Sequence, residues 1–295
     1  MDRIQDKQRL IDAKRTALIL SYPALWGKMI TEWQAPGSED CAWLLYSANY
    51  LFRTDGVRWA IDLVTLKVRV PELLDLDIAR DLSGLSFVLL THSHADHLDL
   101  SLLSALRNLP IQWVVPERIF PIVVAEAGLP VERIIIPTPH QPIELGHVRI
   151  TPFNSLHLEH PIVNGKVDFS IVLKGIPAMA YLVEFNGKRW LFPGDTRTYA
   201  VDWLPDFGPV DGVFAHLWLG RDAGMNNDPP LLDAFCQFYL SLHASRIVVT
   251  HLEEVGHPVE NYWDGAHYGQ IYNRFSELAP ELQVECAYTG DRVVL

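Results

Sequence analysis

The chain has 295 residues, of which 49% are hydrophobic and 20% are charged, so it is too apolar for a disordered protein and large enough for a substantial core. Its formal net charge of −12 argues against a long nucleic acid as partner, and no apolar run reaches the roughly 18–20 residues of a membrane span. The three cysteines form no paired motif and the N-terminus is charged, which predicts a cytoplasmic protein without disulfides.

The first predicted element is a helical extension over residues 1–38. Apolar residues recur at helical spacing from residue 9 to residue 33. Tyr22-Pro23 predicts an interruption, because proline lacks an amide hydrogen and clashes with the preceding turn. The stretch Ala35-Pro36-Gly37-Ser38 ends the element. Its apolar side chains need cover, so we expect it to pack on the main domain, residues 39–295.

The main domain alternates strands and helices. One hairpin is predicted from strands over 42–52 and 57–61 around Asp55-Gly56, and another from strands over 179–185 and 188–192 around Asn186-Gly187. The other predicted elements are strands over 87–90, 113–115, 133–136, 147–153, 213–217, 247–250 and 283–288, and helices over 96–109, 117–127, 230–243 and 262–278. Hairpins followed by strand–helix alternation, twice over, predict an α/β protein of two similar halves, with sheets inside and helices outside.

The densest chemical signal lies directly after the apolar run 87–90. His92, His94, Asp96 and His97 fall within six residues, and imidazole nitrogens with carboxylate oxygens suit divalent metals of intermediate softness. A polar loop that caps a helix, with Asp96 as the N-cap, would not need three histidines. The spacing therefore predicts a two-metal hydrolytic centre.

Three later side chains of the same types each follow a predicted strand. His157 comes after the strand over 147–153, Asp195 follows Gly194 after the strand over 188–192, and His251 ends the strand over 247–250. Binding residues gather at such strand ends in layered folds. His160 is an alternative to His157. We favour His157 because it lies closer to the end of the preceding strand.

In this order, the residues resemble the motifs of the metallo-β-lactamase superfamily of binuclear hydrolases. The matching motifs are His92-x-His94-x-Asp96-His97, then His157, then Gly194-Asp195-Thr196, then His251. The resemblance covers roughly residues 40 to 295. It implies a four-layer αββα sandwich of two mixed β-sheets, carrying the N-terminal helical extension.

The resemblance also implies a role for each residue. Its expected ligands are His92, His94 and His157 for one metal ion, Asp96, His97 and His251 for the other, and Asp195 as a bridge between them. Asp62 stands where the superfamily often has an aspartate that supports the ligands. The expected cofactors are two divalent ions, zinc first, with manganese or iron also compatible.

Some features bear on the branch within the superfamily. Residues 177–184 followed by Gly194-Asp195-Thr196 resemble the branch of ascorbate-6-phosphate lactonase and the N-acylphosphatidylethanolamine-hydrolysing phospholipase D. Asp195 stands where the commonest zinc β-lactamases have cysteine, so antibiotic hydrolysis is not expected. His94 stands where flavodiiron oxygen reductases have glutamate, which argues against that branch.

The expected reaction is attack by a hydroxide that bridges the two metals on a small ester, lactone or phosphoester, with Asp96 and Asp195 as catalytic groups. A phosphodiesterase or nuclease of the same superfamily, or a non-catalytic metal-binding scaffold, is the alternative. Histidines proposed to bind the small-molecule substrate are His216, His257 and His267. His216 serves equally well as a structural histidine.

Overall fold

The computed structural model describes residues 2–155, 157, 162–163, 166–167, 178–196, 199, 201–217, 231–253, 255–256 and 268–295. Its strands are β1 Cys41–Tyr46, β2 Asn49–Thr54, β3 Val57–Ile61, β4 Phe87–Leu89, β5 Gln112–Val114, β6 Ile134–Ile135, β7 Ile143–Leu145, β8 Val148–Asn154, β9 Ile162–Val163, β10 Lys166–Val167, β11 Met179–Phe185, β12 Lys188–Phe192, β13 Val210–His216, β14 Ala244–Thr250, β15 Gln283–Cys286 and β16 Arg292–Val294. Its α-helices are α1 Asp2–Gln34, α2 Ile78–Asp81, α3 Leu100–Leu106, α4 Phe120–Ala125, α5 Leu231–Ser241 and α6 Tyr268–Leu278.

These strands form two seven-stranded mixed sheets and one small hairpin of β9 and β10. The first sheet has the order β16-β1-β2-β3-β4-β5-β6, and the second has the order β15-β14-β13-β12-β11-β8-β7. In each sheet, antiparallel hairpin strands continue into parallel strands, from β3 to β6 and from β12 to β15. The predicted αββα sandwich with an N-terminal helix is confirmed.

The two sheets pack face to face through a core rich in aromatic side chains. Phe52 and Trp59 of the first sheet stack with ring centroids 3.9 Å apart, and Phe192 and Phe214 of the second stack at 5.0 Å. The Phe52 ring meets Phe192 edge-on at 5.4 Å. Two further apolar layers form where α1 to α4 cover the outside of the first sheet and α5 and α6 cover the second. Burial of these faces provides the main driving force for the sandwich.

The predicted break of the N-terminal helix at Tyr22-Pro23 is wrong. Helix α1 runs without interruption from Asp2 to Gln34, with Pro23 inside it. Tyr22 and Trp26, on either side of the exposed proline, are both buried in the core of the first sheet. Tertiary packing here outweighs the local cost of proline. The boundary at residue 38 between an extension and a main domain stays a prediction.

The strand predicted over 42–52 is two strands, β1 and β2, joined at Ser47. Both have every residue buried, so the apolar pattern does not change at the turn, which contains neither glycine nor proline. Ser47 itself adopts a φ of 50°. The structure also adds β7, β9, β10, β16 and α2, which the sequence analysis did not predict. No helix in the described ranges combines the length and apolar character needed to cross a bilayer.

Candidate metal centre

The strand directions place the predicted ligands at one edge of the sandwich. In the second sheet, β8, β12, β13 and β14 all point the same way, because β8 and β12 are each antiparallel to β11 and β12 to β14 are parallel. His157, Asp195, His216 and His251 end or follow these four strands. In the first sheet, β3 and β4 are parallel, so Asp62 and the loop after β4 also share an edge.

The loop after β4 is a compact turn and not the start of a long helix. The His94 carbonyl accepts hydrogen bonds from the His97 amide at 2.9 Å and the Leu98 amide at 2.8 Å. Helix α3 begins only at Leu100, with Asp99 as its N-cap. The helix predicted over 96–109 therefore starts later, because Asp99 and not Asp96 caps it. The turn keeps all four ligand-type side chains of the loop in one small region.

A first group contains three histidines from two segments. The ligand atoms of His92, His94 and His157 lie within 4.8 Å of one another. The ring centroids of His92 and His157 are 4.6 Å apart, and those of His94 and His157 are 4.8 Å apart. His92 and His157 are buried, whereas His94 is half-buried. Three imidazoles at this separation can hold one zinc-like ion.

A second group combines two carboxylates with two histidines. The ligand atoms of Asp96, His97, Asp195 and His251 lie within 4.8 Å of one another. His251 Nε2 is 3.2 Å from Asp96 Oδ2, and His97 Nε2 is 3.3 Å from Asp195 Oδ1. The groups adjoin, since the His92 and His97 rings lie 4.3 Å apart. The structure thus brings together all seven predicted ligands, while His160 lies outside the described residues.

Backbone conformation helps to aim two of these side chains. Gly194 has a φ of 71°, which permits the sharp turn that leads from β12 to Asp195. His251 has a φ of 67°, which is uncommon for a residue with a Cβ. Its amide donates to the Ser47 carbonyl at 3.0 Å. Such strain is maintained only where the surrounding structure fixes it, and it is common at functional sites.

Asp62 supports the ligands from behind. Its Oδ2 is 2.7 Å from His97 Nδ1 and accepts from the Thr91 hydroxyl at 2.5 Å, while its Oδ1 accepts from the Thr91 amide at 2.7 Å. The Thr91 hydroxyl also lies 2.8 Å from His92 Nδ1. A carboxylate or hydroxyl on Nδ1 directs Nε2 of each ring toward the site.

The donor atoms fit a metal ion. His92 Nε2 is buried and has no hydrogen-bond partner among the described residues. A buried polar atom without a partner is costly, and coordination to a cation would satisfy this nitrogen. The mixture of imidazoles and carboxylates suits zinc, manganese and iron alike.

Charge interactions set the protonation states within the site. Burial would raise the pKa of Asp96 and of Asp195, but the nearby His97 and His251 lower both below the usual range. Burial lowers the pKa of His97, but Asp195 and Asp96 raise it well above the ordinary value. Burial, together with the positive charge of His97, lowers the pKa of His92. The two carboxylates and His92 are therefore in the forms that bind metal, whereas a bound cation would replace the proton that the raised pKa gives His97.

The proposed substrate-binding histidines fall in different places. His216 is buried, with Nδ1 3.0 Å from Asp195 Oδ1 and Nε2 3.0 Å from the Tyr50 hydroxyl. His257 and His267 lie outside the described residues. Substrate contact by these three histidines stays a prediction. Sequence reasoning missed Thr91, Tyr50 and Thr250, since a buried hydroxyl residue in or beside an apolar strand has no distinctive pattern.

A four-layer αββα sandwich with a His/Asp cluster at the strand ends is the architecture of metallo-β-lactamase fold proteins. The sequence profile of the beta-lactamase superfamily domain matches residues 68–252, which is more than half of the chain. The chain belongs to this family. The comparison with curated proteins finds no match.

Solved structures share the fold at low sequence identity. The metallo hydrolase Igni18 from Ignicoccus hospitalis is 16% identical, with a TM-score of 0.55 over 88% of this chain and 99% of that one. Zn²⁺-bound PqqB from Methylobacterium extorquens is 14% identical, with a TM-score of 0.56 over 84% and 87%. CmlA, a diiron β-hydroxylase from Streptomyces venezuelae, is 15% identical, with a TM-score of 0.57 over 89% and 55%.

Proposed function

We propose that this protein is a binuclear metal-dependent hydrolase that cleaves a small ester, lactone or phosphoester. The observation that carries the proposal is the pair of adjoining ligand groups, one of three histidines and one of two histidines with two aspartates. In this assignment, His92, His94 and His157 would hold one ion, Asp96, His97 and His251 would hold the other, and Asp195 would be the ligand that the two ions share.

The chemistry divides between the metal ions and the chain. Two bound divalent ions supply Lewis acidity and lower the pKa of a coordinated water toward neutrality. Asp195 is almost wholly buried, so its carboxylate would be held in place between the ligand groups. Asp96 has a side chain that is 18% exposed, against 0% for His97, so it faces the open side of the site. Asp96 is the proposed group that would shuttle the proton released by the nucleophilic water.

Zinc is the proposed metal. The ligand set is dominated by imidazole, which suits zinc, and the described groups offer no thiolate. Of the fold neighbours, PqqB is described with Zn²⁺ and CmlA with two irons, so iron is the natural alternative. Metal content after expression in medium supplied with both ions would distinguish them.

For the substrate we propose a small molecule of the kind handled by the ascorbate-6-phosphate lactonase and phospholipase D branch. The net charge of −12 disfavours a long polyanion, which makes a polynucleotide nuclease the second choice. A non-catalytic scaffold is the alternative of a different class. A panel of model esters, lactones and phosphodiesters, tested on protein loaded with each metal, separates these, because a scaffold would bind metal and hydrolyse nothing.

Replacement of the bridging aspartate tests the assignment. We expect Asp195→Ala to bind one metal ion in place of two and to lower kcat on the order of 100-fold or more, because charge stabilisation in a site shielded from water is a large contribution. Metal content by elemental analysis and hydrolysis of the best panel substrate are the measurements. Asp75→Ala, which changes an exposed aspartate, is the matched control. Full occupancy together with full rate in Asp195→Ala would show the assignment to be wrong.

A further inference from the structure

His216 occupies a position behind the proposed metal centre. It ends β13 and is 5% exposed. Both of its ring nitrogens are engaged, Nδ1 with Asp195 Oδ1 at 3.0 Å and Nε2 with the Tyr50 hydroxyl at 3.0 Å. A substrate could reach either nitrogen only by displacing one of these partners. The geometry therefore favours a role exerted through Asp195.

The donor and acceptor roles in the hydrogen bonds around His216 can be assigned, and each bond donates toward Asp195. An ionised carboxylate only accepts hydrogen bonds, so His216 donates from Nδ1 to Asp195. The remaining nitrogen, Nε2, then accepts from the Tyr50 hydroxyl. Tyr50 is also hydrogen-bonded to the Thr250 hydroxyl, which must donate because the Tyr50 proton is already used. Thr250, Tyr50 and His216 thus form a chain of donors that ends on Asp195.

The members of this chain come from both sheets. Tyr50 lies in β2 of the first sheet, whereas His216 and Thr250 end β13 and β14 of the second. Tyr50 is buried, and its ring packs edge-on against Phe214 at 4.9 Å. Burial raises the pKa of Tyr50 well above its ordinary value, which keeps its hydroxyl a donor. Packing between the sheets therefore fixes the orientation of the His216 ring.

We propose that His216, oriented by Tyr50, is a positioning residue that holds the Asp195 carboxylate in the orientation needed to bridge two cations. The inference rests on the proposed function, since it assigns a supporting partner to the proposed bridging ligand. Partners that orient a metal ligand typically change metal affinity about 10- to 100-fold when they are removed. The role should therefore be visible in metal binding itself, independently of any substrate.

The test is calorimetric titration of Zn²⁺ into the metal-stripped full chain. His216→Phe keeps a planar ring and removes both nitrogens. It should lower the affinity for one of the two zinc ions about 10- to 100-fold. His216→Asn retains an N–H donor near the position of Nδ1 and should recover much of that loss. Tyr50→Phe should weaken the binding of the same zinc ion by a smaller factor, because the His216 ring stays in place but loses the hydroxyl that orients it.

Tyr22→Phe is the matched control. It also removes the hydroxyl of a buried tyrosine, one that donates to the Leu45 carbonyl at 3.0 Å away from the ligand groups, and it should leave zinc affinity unchanged. Unchanged zinc affinity in His216→Phe would overturn the inference, as would a raised KM with normal zinc binding, which would indicate substrate contact. Should His216→Phe fail to fold, unchanged affinity in Tyr50→Phe overturns it instead. A wild-type chain that binds neither zinc nor iron would refute the proposed function and the inference with it.

Discussion

At the scale of single residues, Asp62 combines a strained backbone conformation with side-chain contacts to the proposed metal ligands. It has a φ of 46°, and its carboxylate accepts from Thr91 and contacts His97 Nδ1. The Asp62→Asn substitution keeps the size and the tolerance of this left-handed conformation while removing the charge. We expect it to weaken zinc binding about 10- to 100-fold, as measured by competition with a chromogenic chelator.

The hairpin turn offers a matched control for that substitution. Asp55 has a similar φ of 49° but is exposed in the turn between β2 and β3, so Asp55→Asn should leave zinc affinity unchanged. If both substitutions had the same effect on affinity, the loss would come from the backbone and not from the contact with His97.

The ligand types and their order could be predicted from the sequence because each stands next to an apolar run, and Asp62 follows from the resemblance. The contacts of Thr91, Tyr50 and Thr250 could not. Tyr50 lies 200 positions before its partner Thr250, and only the packing of the two sheets brings them together. A side chain that acts through such a contact carries no local signal.

At the scale of elements, helix α1 is fixed to the first sheet by polar contacts as well as by apolar packing. The Trp33 indole donates to the Phe52 carbonyl at 2.8 Å, and Arg53 donates to the carbonyls of Glu32 at 2.9 Å and Ala35 at 2.6 Å, near the C-terminal end of the helix. These are the carbonyls that a helix end leaves without partners. The helix is therefore part of the core.

The contribution of α1 to stability can be measured directly. Trp33 is fully buried, so Trp33→Ala should lower the free energy of unfolding by about 3–5 kcal/mol through lost burial and a cavity. Leu20→Ala, on the same helix but with Leu20 76% exposed, should change it by less than about 0.5 kcal/mol. Urea denaturation of both variants gives the values. Equal, small effects would mean that α1 contributes little to the stability of the fold.

The residues at each turn determined whether the limits of the flanking strands could be predicted from the sequence. Strands β11 and β12 have the predicted limits, because Asn186-Gly187 between them favours the left-handed turn of a tight hairpin. The turn at Ser47 between β1 and β2 has no such residue pair, and both strands are buried throughout. The sequence therefore predicted one strand where the chain forms two.

At the scale of the whole molecule, the order of the elements predicted two similar halves and the family resemblance implied the αββα sandwich, but neither gave the way in which the two sheets meet. The loop with His92 and Asp96 follows β4 of the first sheet, whereas Asp195 and His251 follow strands of the second. The proposed metal ions would therefore link the two sheets. Sequence order gives no measure of the angle and distance at which the sheets meet, which depend on aromatic side chains such as Trp59 and Phe192.

This arrangement predicts that zinc stabilises the whole chain and not only its site. A ligand that binds only the folded state adds about 2.7 kcal/mol per site at a free concentration 100 times its Kd. Chelation by EDTA should therefore lower the midpoint of a single thermal transition, and added Zn²⁺ should restore it. Mg²⁺ prefers oxygen ligands and should restore little. Because the ligands come from both sheets, differential scanning calorimetry should show the entire unfolding transition shift to a lower temperature after chelation. If EDTA removed the zinc but left the midpoint unchanged, the idea that the metal ions link the two sheets would be contradicted.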